Sequence, residues 1–254
     1  MAEKARVDVA SPSASEALSF RYRRATLPQE QEQLFRLRYR CYLAEGAIDP
    51  NPTHRLSDHY DEDPNVFIFG IESEDALVAS IRIHVCSPDM PFAPGLKVFP
   101  DILGPLIEKG RSFVDPTRFV VDRSLRRAMG QMPFATVRMA GMAAEHFDAD
   151  YMLATVRAEH APFYQRFCHM SVMTEPRFYP GLKRPICLMS GHFETMRQTV
   201  YPRYPHFLST HRERVQLFGA SRMIGLGMTD MPLLNDNDGT EAPEASPRLR
   251  VLEP

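Results

Sequence analysis

Residues 111–122 read RSFVDPTRFVVD, a stretch long enough for a strand but with a proline at its centre. Proline has no N–H to give a ladder, so Pro116 places a bulge or an unpaired edge inside the strand. In a flat strand Asp115 and Arg118 face opposite sides of the sheet. A bulge between them brings both to one side, and it also leaves a backbone N–H free to meet a ligand carbonyl.

The elements around this strand fix the architecture. Ser19–Arg24 reads as a short strand. Thr26-Leu27-Pro28-Gln29 then has the form of a capping box with proline in the first turn, opening a helix to about Ala44 that Gly46 stops. Asp49–Pro64 is a loop with three prolines. Val66–Ile71 and Ala76–Val85 alternate as strands joined by a tight turn at 72–75. A proline-rich excursion with a short helix near Ile102–Lys109 leads into the 111–122 strand. Beyond it follow an Ala/Met-rich helix over Phe134–Phe147, a strand at Tyr151–Val156, a helix at Ala161–His169, and strands at Ser171–Glu175 and Arg184–Phe193. Aromatic, basic helical segments run on to about Gly227. The order β-α-β-β-β-α-β-α-β-β predicts one α/β (α+β) layer fold with a central mixed, mostly antiparallel sheet flanked by helices. Its domain spans 19–227, with a helical extension from about 196. Residues 1–18 and 228–254 lack periodicity and are expected to be disordered tails.

Composition limits the function classes. The chain has 254 residues, 24% charged, with a formal net charge of -2, so no strong field points to nucleic acid despite Arg197, Arg203, Arg212 and Arg214 in the extension. No apolar run approaches the roughly 18 residues of a membrane span, and residues 1–19 have no apolar leader core. A cytoplasmic location is therefore expected. Cys41, Cys86, Cys168 and Cys187 are widely spaced and match no metal or redox pattern, so free thiols and no metal site are expected.

Charged residues stand in places that cost free energy. On the first helix Leu34, Phe35, Arg38, Cys41 and Tyr42 share one face, which sets Arg38 inside an apolar stripe. A buried guanidinium requires carboxylates. The following loop supplies Asp58-His59-Tyr60-Asp61, although acids in such a loop also serve as turn caps. In the strand 77–85, Arg82 and His84 oppose the face of Leu77, Ala79, Ile81, Ile83 and Val85. Arg38, Arg82, Arg118, Asp58, Asp61 and Asp115 are thus expected to converge. After the bulged strand, Arg126-Arg127-Ala128-Met129-Gly130 has the R-x-x-G form of a helix start that binds phosphate through backbone N–H groups.

The order and spacing of Leu37-Arg38-x-x-Cys41-Tyr42, Asp58-x-x-Asp61, Arg82 and Asp115-x-x-Arg118-Phe119 resemble the N-acyl amino acid synthases and their relatives, the acyl-homoserine lactone synthases. The match extends over roughly residues 20–195. It implies a bacterial acyltransferase with the N-acetyltransferase (GNAT)-like fold, moving a long-chain fatty acyl group from an acyl carrier protein or coenzyme A thioester to the amine of an amino acid. The thioester would be a co-substrate, with no tightly bound cofactor. Carried onto these positions, Asp115, Arg118 and Arg82 are the catalytic candidates. Arg38, Tyr42, Asp58, Asp61 and Phe119 organise the site or bind substrate. Arg123, Arg126, Arg127 and Gly130, with Arg138, meet the donor's phosphate or its acidic carrier. Met139, Met142 and Phe147 are candidate walls for the acyl chain. The family acid is usually Glu where Asp115 stands. Lactone synthases usually carry Trp where Ile48 stands, which favours N-acyl amino acid synthesis over lactone formation. Met132 replaces the final small residue of the GNAT pyrophosphate loop and leaves room for a carrier protein as donor. A catalytically inactive acyl-carrier-binding protein is the non-enzymatic alternative.

Overall fold

The computed structural model describes residues 20–73, 76–122, 132–179 and 181–219. The proposed tails and residues 220–227 lie outside the described residues. So do the tip of the 72–75 turn and Arg123, Arg126, Arg127 and Gly130.

The strands are β1 (Arg21–Arg24), β2 (Val66–Ser73), β3 (Ala76–Cys86), β4 (Phe113–Val121), β5 (Tyr151–Val156), β6 (Ser171–Val172), β7 (Arg177–Phe178) and β8 (Pro185–His192). They lie in the order β1-β2-β3-β4-β5-β8-β6, with β7 also on β8, and every pairing is antiparallel except β4 with β5. That parallel pair is brief, since only Phe113–Tyr151 and Val114–Met152 are in register. Beyond Val114 the two strands part. Pro116 lies in this stretch, in register with Ile83 on β3 and past the last pair with β5. Its missing N–H is tolerated because this edge of a central strand pairs with no strand among the described residues.

Helix α1 (Pro28–Ala44) starts at Leu27, and Glu30 closes its N-terminus by accepting from the Thr26 and Leu27 N–H groups at 3.0 and 3.1 Å. The expected box placed this role on Gln29, one residue early. The buried face of α1 is wider than the stripe anticipated, adding Leu37 and Tyr39. It packs on the sheet face that carries Ile68 and Arg82, and α2 (Pro94–Val98) and α3 (Pro100–Glu108) cover the same face near Cys86, Phe113 and Leu153. Helix α4 (Met132–His146) packs its Phe134, Met139, Ala140 and Met142 on the opposite face, against Phe69, Ile81 and Ile83. Both faces of β3 are therefore buried, and Arg82 and His84 have no exposure at all. Helices α5 (Ala161–Cys168), α6 (Phe193–Val200) and α7 (His211–Phe218) complete the α4 side. The predicted 171–175 strand contracts to the two residues of β6. The elements α2 and β7, and a 3-10 turn at His59–Glu62, are additions to the predicted order. No helix among the described residues is long and apolar enough to cross a membrane, and the four cysteines are free thiols.

Candidate active site

The 3-10 turn His59–Glu62 places the acidic pair of the loop. Asp58 caps it, its Oδ1 accepting from Tyr60 N–H at 3.2 Å, and Asp61 returns the contact, its Oδ2 accepting from Asp58 N–H at 3.0 Å. The D-x-x-D spacing is thus a reciprocal cap, and it leaves an outer oxygen on each carboxylate for arginines. Arg38 Nη1 donates to Asp61 Oδ1 at 2.7 Å, and Arg82 Nη1 reaches the same oxygen at 3.1 Å. Arg82 also pairs with Asp58, and its Nε donates to Thr117 Oγ1 at 3.0 Å. Arg118 Nη2 donates to Asp58 Oδ2 at 2.6 Å. Five of the six expected groups therefore form one network that ties α1, the turn, β3 and β4 together. Burial opposes ionisation of Asp58, but Arg82 and Arg118 outweigh it and hold the carboxyl near 2.

Arg118 stands at the bulge itself. Ser80 pairs with Val120 and Arg82 with Thr117, so Arg118 and Phe119 together oppose the single residue Ile81. The bulge lies after Thr117, later than Pro116. Arg118 adopts φ +52°, a left-handed conformation uncommon outside glycine. That rotation carries its side chain to the α1 face, where Arg82 and Asp115 also lie. The guanidinium carbon sits 5.5 Å from the Tyr42 ring and 5.7 Å from the Tyr179 ring.

Asp115 does not pair with Arg118. It is fully buried, its Oδ2 accepts from Gly95 N–H at 2.9 Å, and its Oδ1 has no partner among the described residues. A side chain at position 95 would put its Cβ 3.0 Å from Oδ2, so glycine is what lets the α2 backbone come so close. Burial raises the Asp115 carboxyl to about 6, against opposing contributions from the Gly95 bond and Arg82. Opposite Asp115 across the strands, His84 hydrogen-bonds through Nε2 to the Tyr60 carbonyl and Asp63, at 3.0 and 3.1 Å. Burial, then Arg82, lowers its pKa to about 3, so the ring is neutral.

The parting of β4 from β5 opens a cavity of about 470 Å³. Thr117, Arg118, Phe119, Val120 and Val121 form one wall, and Met152 to Arg157 form the facing one. Helix α4 closes it with Thr136, Val137 and Ala140, α5 with Phe163 and Tyr164, and Tyr42 lies at the α1 end. Of the predicted residues, Arg118, Tyr42 and Phe119 line it, whereas Asp115, Arg82, Arg38, Asp58 and Asp61 do not. Met139 and Met142 are fully buried core on the sheet-facing side of α4. Phe147 packs on Phe67 and Phe218. None of these three lines the cavity. Arg138 is held by Glu213 at 2.7 and 2.8 Å and by the carbonyls of His206 and Leu208, which leaves it unavailable to a carrier. Tyr179, Leu182 and Ile186 had no signal in the sequence, because only the tertiary fold brings the β7–β8 turn beside Arg118.

A family model for the N-acyl amino acid synthase FeeM matches residues 33–192. The solved structure of FeeM, an N-acyl amino acid synthase from uncultured soil microbes, superimposes with a TM-score of 0.59 at 17% identity, covering 75% of this chain and 98% of that one. TofI, solved in a ternary complex with an inhibitor and MTA, gives 0.55 at 14% identity over 75% and 100% of the two chains. The AHL synthase LasI gives 0.52 at 13% over 72% and 94%. These likenesses establish a shared fold. No curated protein matches the sequence.

Proposed function

This chain belongs to the N-acyl amino acid synthase FeeM family of acyltransferases, and on that premise we propose that its β4–β5 cavity receives a fatty acyl thioester and passes the acyl group to the amine of an amino acid held beside Arg118. The observation that carries this assignment is the cavity itself: an apolar space made by the parted strands, with a guanidinium at one wall. The acyl chain would lie along Val137, Ala140, Met152 and Phe163. The acceptor's carboxylate would pair with Arg118, whose fork suits a planar two-oxygen anion. Arg82, Arg38, Asp58 and Asp61 would hold Arg118 and β4 in place without touching substrate.

The attacking amine must be neutral, and a free α-amino group titrates near 8. Once deprotonated, it attacks the thioester carbonyl directly. The tetrahedral oxyanion would be met by N–H groups on the unpaired edge of β4, and the C–S bond breaks as the thiol leaves with a proton. Asp115 remains our proposed proton acceptor. Since it does not line the cavity, the proton would reach it through water. The co-substrate is an acyl thioester, and acyl carrier protein is the donor we favour. Arg123, Arg126, Arg127 and Gly130, outside the described residues, would meet its phosphopantetheine arm.

Mass spectrometry of lipid extracts from bacteria expressing the chain tests this function. New N-acyl amino acids are expected, and Arg118→Ala should abolish them. New acyl-homoserine lactones would redirect the assignment to lactone synthesis, and the absence of any new lipid would overturn both.

A further inference from the structure

Tyr179 takes no part in the ion network, yet its hydroxyl is buried and has no hydrogen-bond partner among the described residues. Its position is tightly held. Leu182 N–H donates to the Tyr179 carbonyl at 3.0 Å. Gly181 stands at φ +81°, which glycine adopts without strain. Lys183 N–H donates to the Ala47 carbonyl at 3.3 Å, fastening this turn to the chain just beyond α1, which carries Tyr42. The turn thus holds the phenol ring against Arg118.

Arg118 has five N–H donors, and among the described residues it makes one hydrogen bond, from Nη2 to Asp58. Its remaining donors belong to a side chain that lines the cavity. Arg118 at the cavity wall has donors to spare, and the ring 5.7 Å behind it carries a hydroxyl that lacks an acceptor. A carboxylate supplies about four lone-pair sites and fits this pair. An amide or an ester offers a weaker acceptor and no charge.

We infer that Tyr179 is a specificity-determining residue, whose hydroxyl donates to the carboxylate of the acceptor amino acid while Arg118 pairs with it. The inference rests on the amino-acid acceptor proposed above. The hydroxyl is covered, so contact follows a side-chain shift that opens the space between guanidinium and ring. No hydrogen bond from the hydroxyl holds the closed arrangement, and the carboxylate provides one in the open state, which is the differential interaction such a shift requires. Burial raises the phenol above its ordinary pKa, so it remains a donor at neutral pH.

Steady-state kinetics of the full chain test the assignment. Saturated acyl thioesters of coenzyme A and of acyl carrier protein serve as donors, each of the common amino acids as acceptor, and then the amide of the best one. Tyr179→Phe keeps the ring and removes the hydroxyl. The KM for the amino acid should rise about tenfold or more, as expected for a lost hydrogen bond to a charged group. The KM for the donor should stay unchanged. With the amide acceptor, the variant and the parent should behave alike. Melting temperature should hold or rise, because the variant removes an unsatisfied buried group. Tyr179→His, which restores a ring donor, should recover part of the preference for acid over amide. An equal change with acid and amide, or none with either, overturns the role of Tyr179 while leaving the acyltransferase intact. A parent enzyme that acylates no amino acid with any donor overturns the proposed acceptor class, and this inference with it.

Discussion

Arg118 and Asp115 stand three residues apart on β4, and their environments push them to opposite ends of the site's chemistry. Arg118 reaches the cavity only because its backbone takes a left-handed turn, a conformation that costs about 1–3 kcal/mol. Asp115 is buried against Gly95, away from the cavity lining, and the cost of its burial appears in its pKa. A carboxyl raised to about 6 from an unfolded value near 3.8 binds more protons in the native state than in the unfolded one between those values. Its contribution to stability is therefore complete below about pH 4 and lost as pH rises through 6, a total of about 3 kcal/mol. Asn cannot ionise, and its side-chain oxygen still accepts from Gly95. Asp115→Asn should thus match the parent in urea melts near pH 4 and exceed it by up to about 3 kcal/mol near pH 8. If Asp115 takes the amine's proton, turnover should fall about 10²–10⁴-fold in the same variant, and the acid limb of kcat near pH 6 should flatten. Equal stability at both pH values with unchanged turnover would leave Asp115 neither charged nor catalytic.

At the scale of elements, the 3-10 turn His59–Glu62 pins α1 to the sheet. Asp61 is nearly buried and holds both Arg38 and Arg82. Two further nitrogens of Arg38 are already buried with no partner among the described residues. Asp61→Ala should therefore destabilise by about 3–5 kcal/mol, because it strands a buried guanidinium. Adding Arg38→Met to Asp61→Ala should recover part of that loss, since removing both charges is milder than removing one. Urea denaturation of the single and double variants measures the coupling. This network was legible in the sequence because each member broke a local rule: Arg38 interrupted an apolar helix stripe, and Arg82 sat mid-strand on a covered face. The long elements were legible for a related reason, since periodicity and caps mark them; β5 falls on its predicted residues, Tyr151–Val156. The short pieces were not. Pro94–Val98, Arg177–Phe178 and the 3-10 turn are too brief to show a period, and the tertiary fold alone decides them. The same limit hid the cavity wall. Met139 and Met142 share the helical spacing of any core face, and only the parting of β4 from β5 shows that Thr136, Val137 and Ala140 line the opening instead.

At the scale of the molecule, the site exists because β4 and β5 separate after two paired residues, and whatever holds the sheet's flanks sustains that gap. The described part of the C-terminal extension belongs to those flanks. Thr210 caps α7 by accepting from Glu213 N–H at 3.1 Å, and Glu213 clamps Arg138 on α4 with two bonds. At the end of α7, Phe218 is 4% exposed, with ring centroids 5.3–5.4 Å from Phe69 and Phe67 on β2. A lid over a cavity would show the opposite pattern, with few buried contacts and loose hydrogen bonds. α7 is instead part of the core on the far side of the sheet from the ion network. Phe218→Ala removes a buried ring from between β2 and α4, and such truncations cost about 3–5 kcal/mol. For a domain of this size the melting temperature should drop by about 10 °C. Turnover per folded molecule, measured well below the new midpoint, should remain that of the parent, because Phe218 touches neither the cavity nor the arginine network. A fall in kcat with an unchanged melt would assign α7 to gating after all.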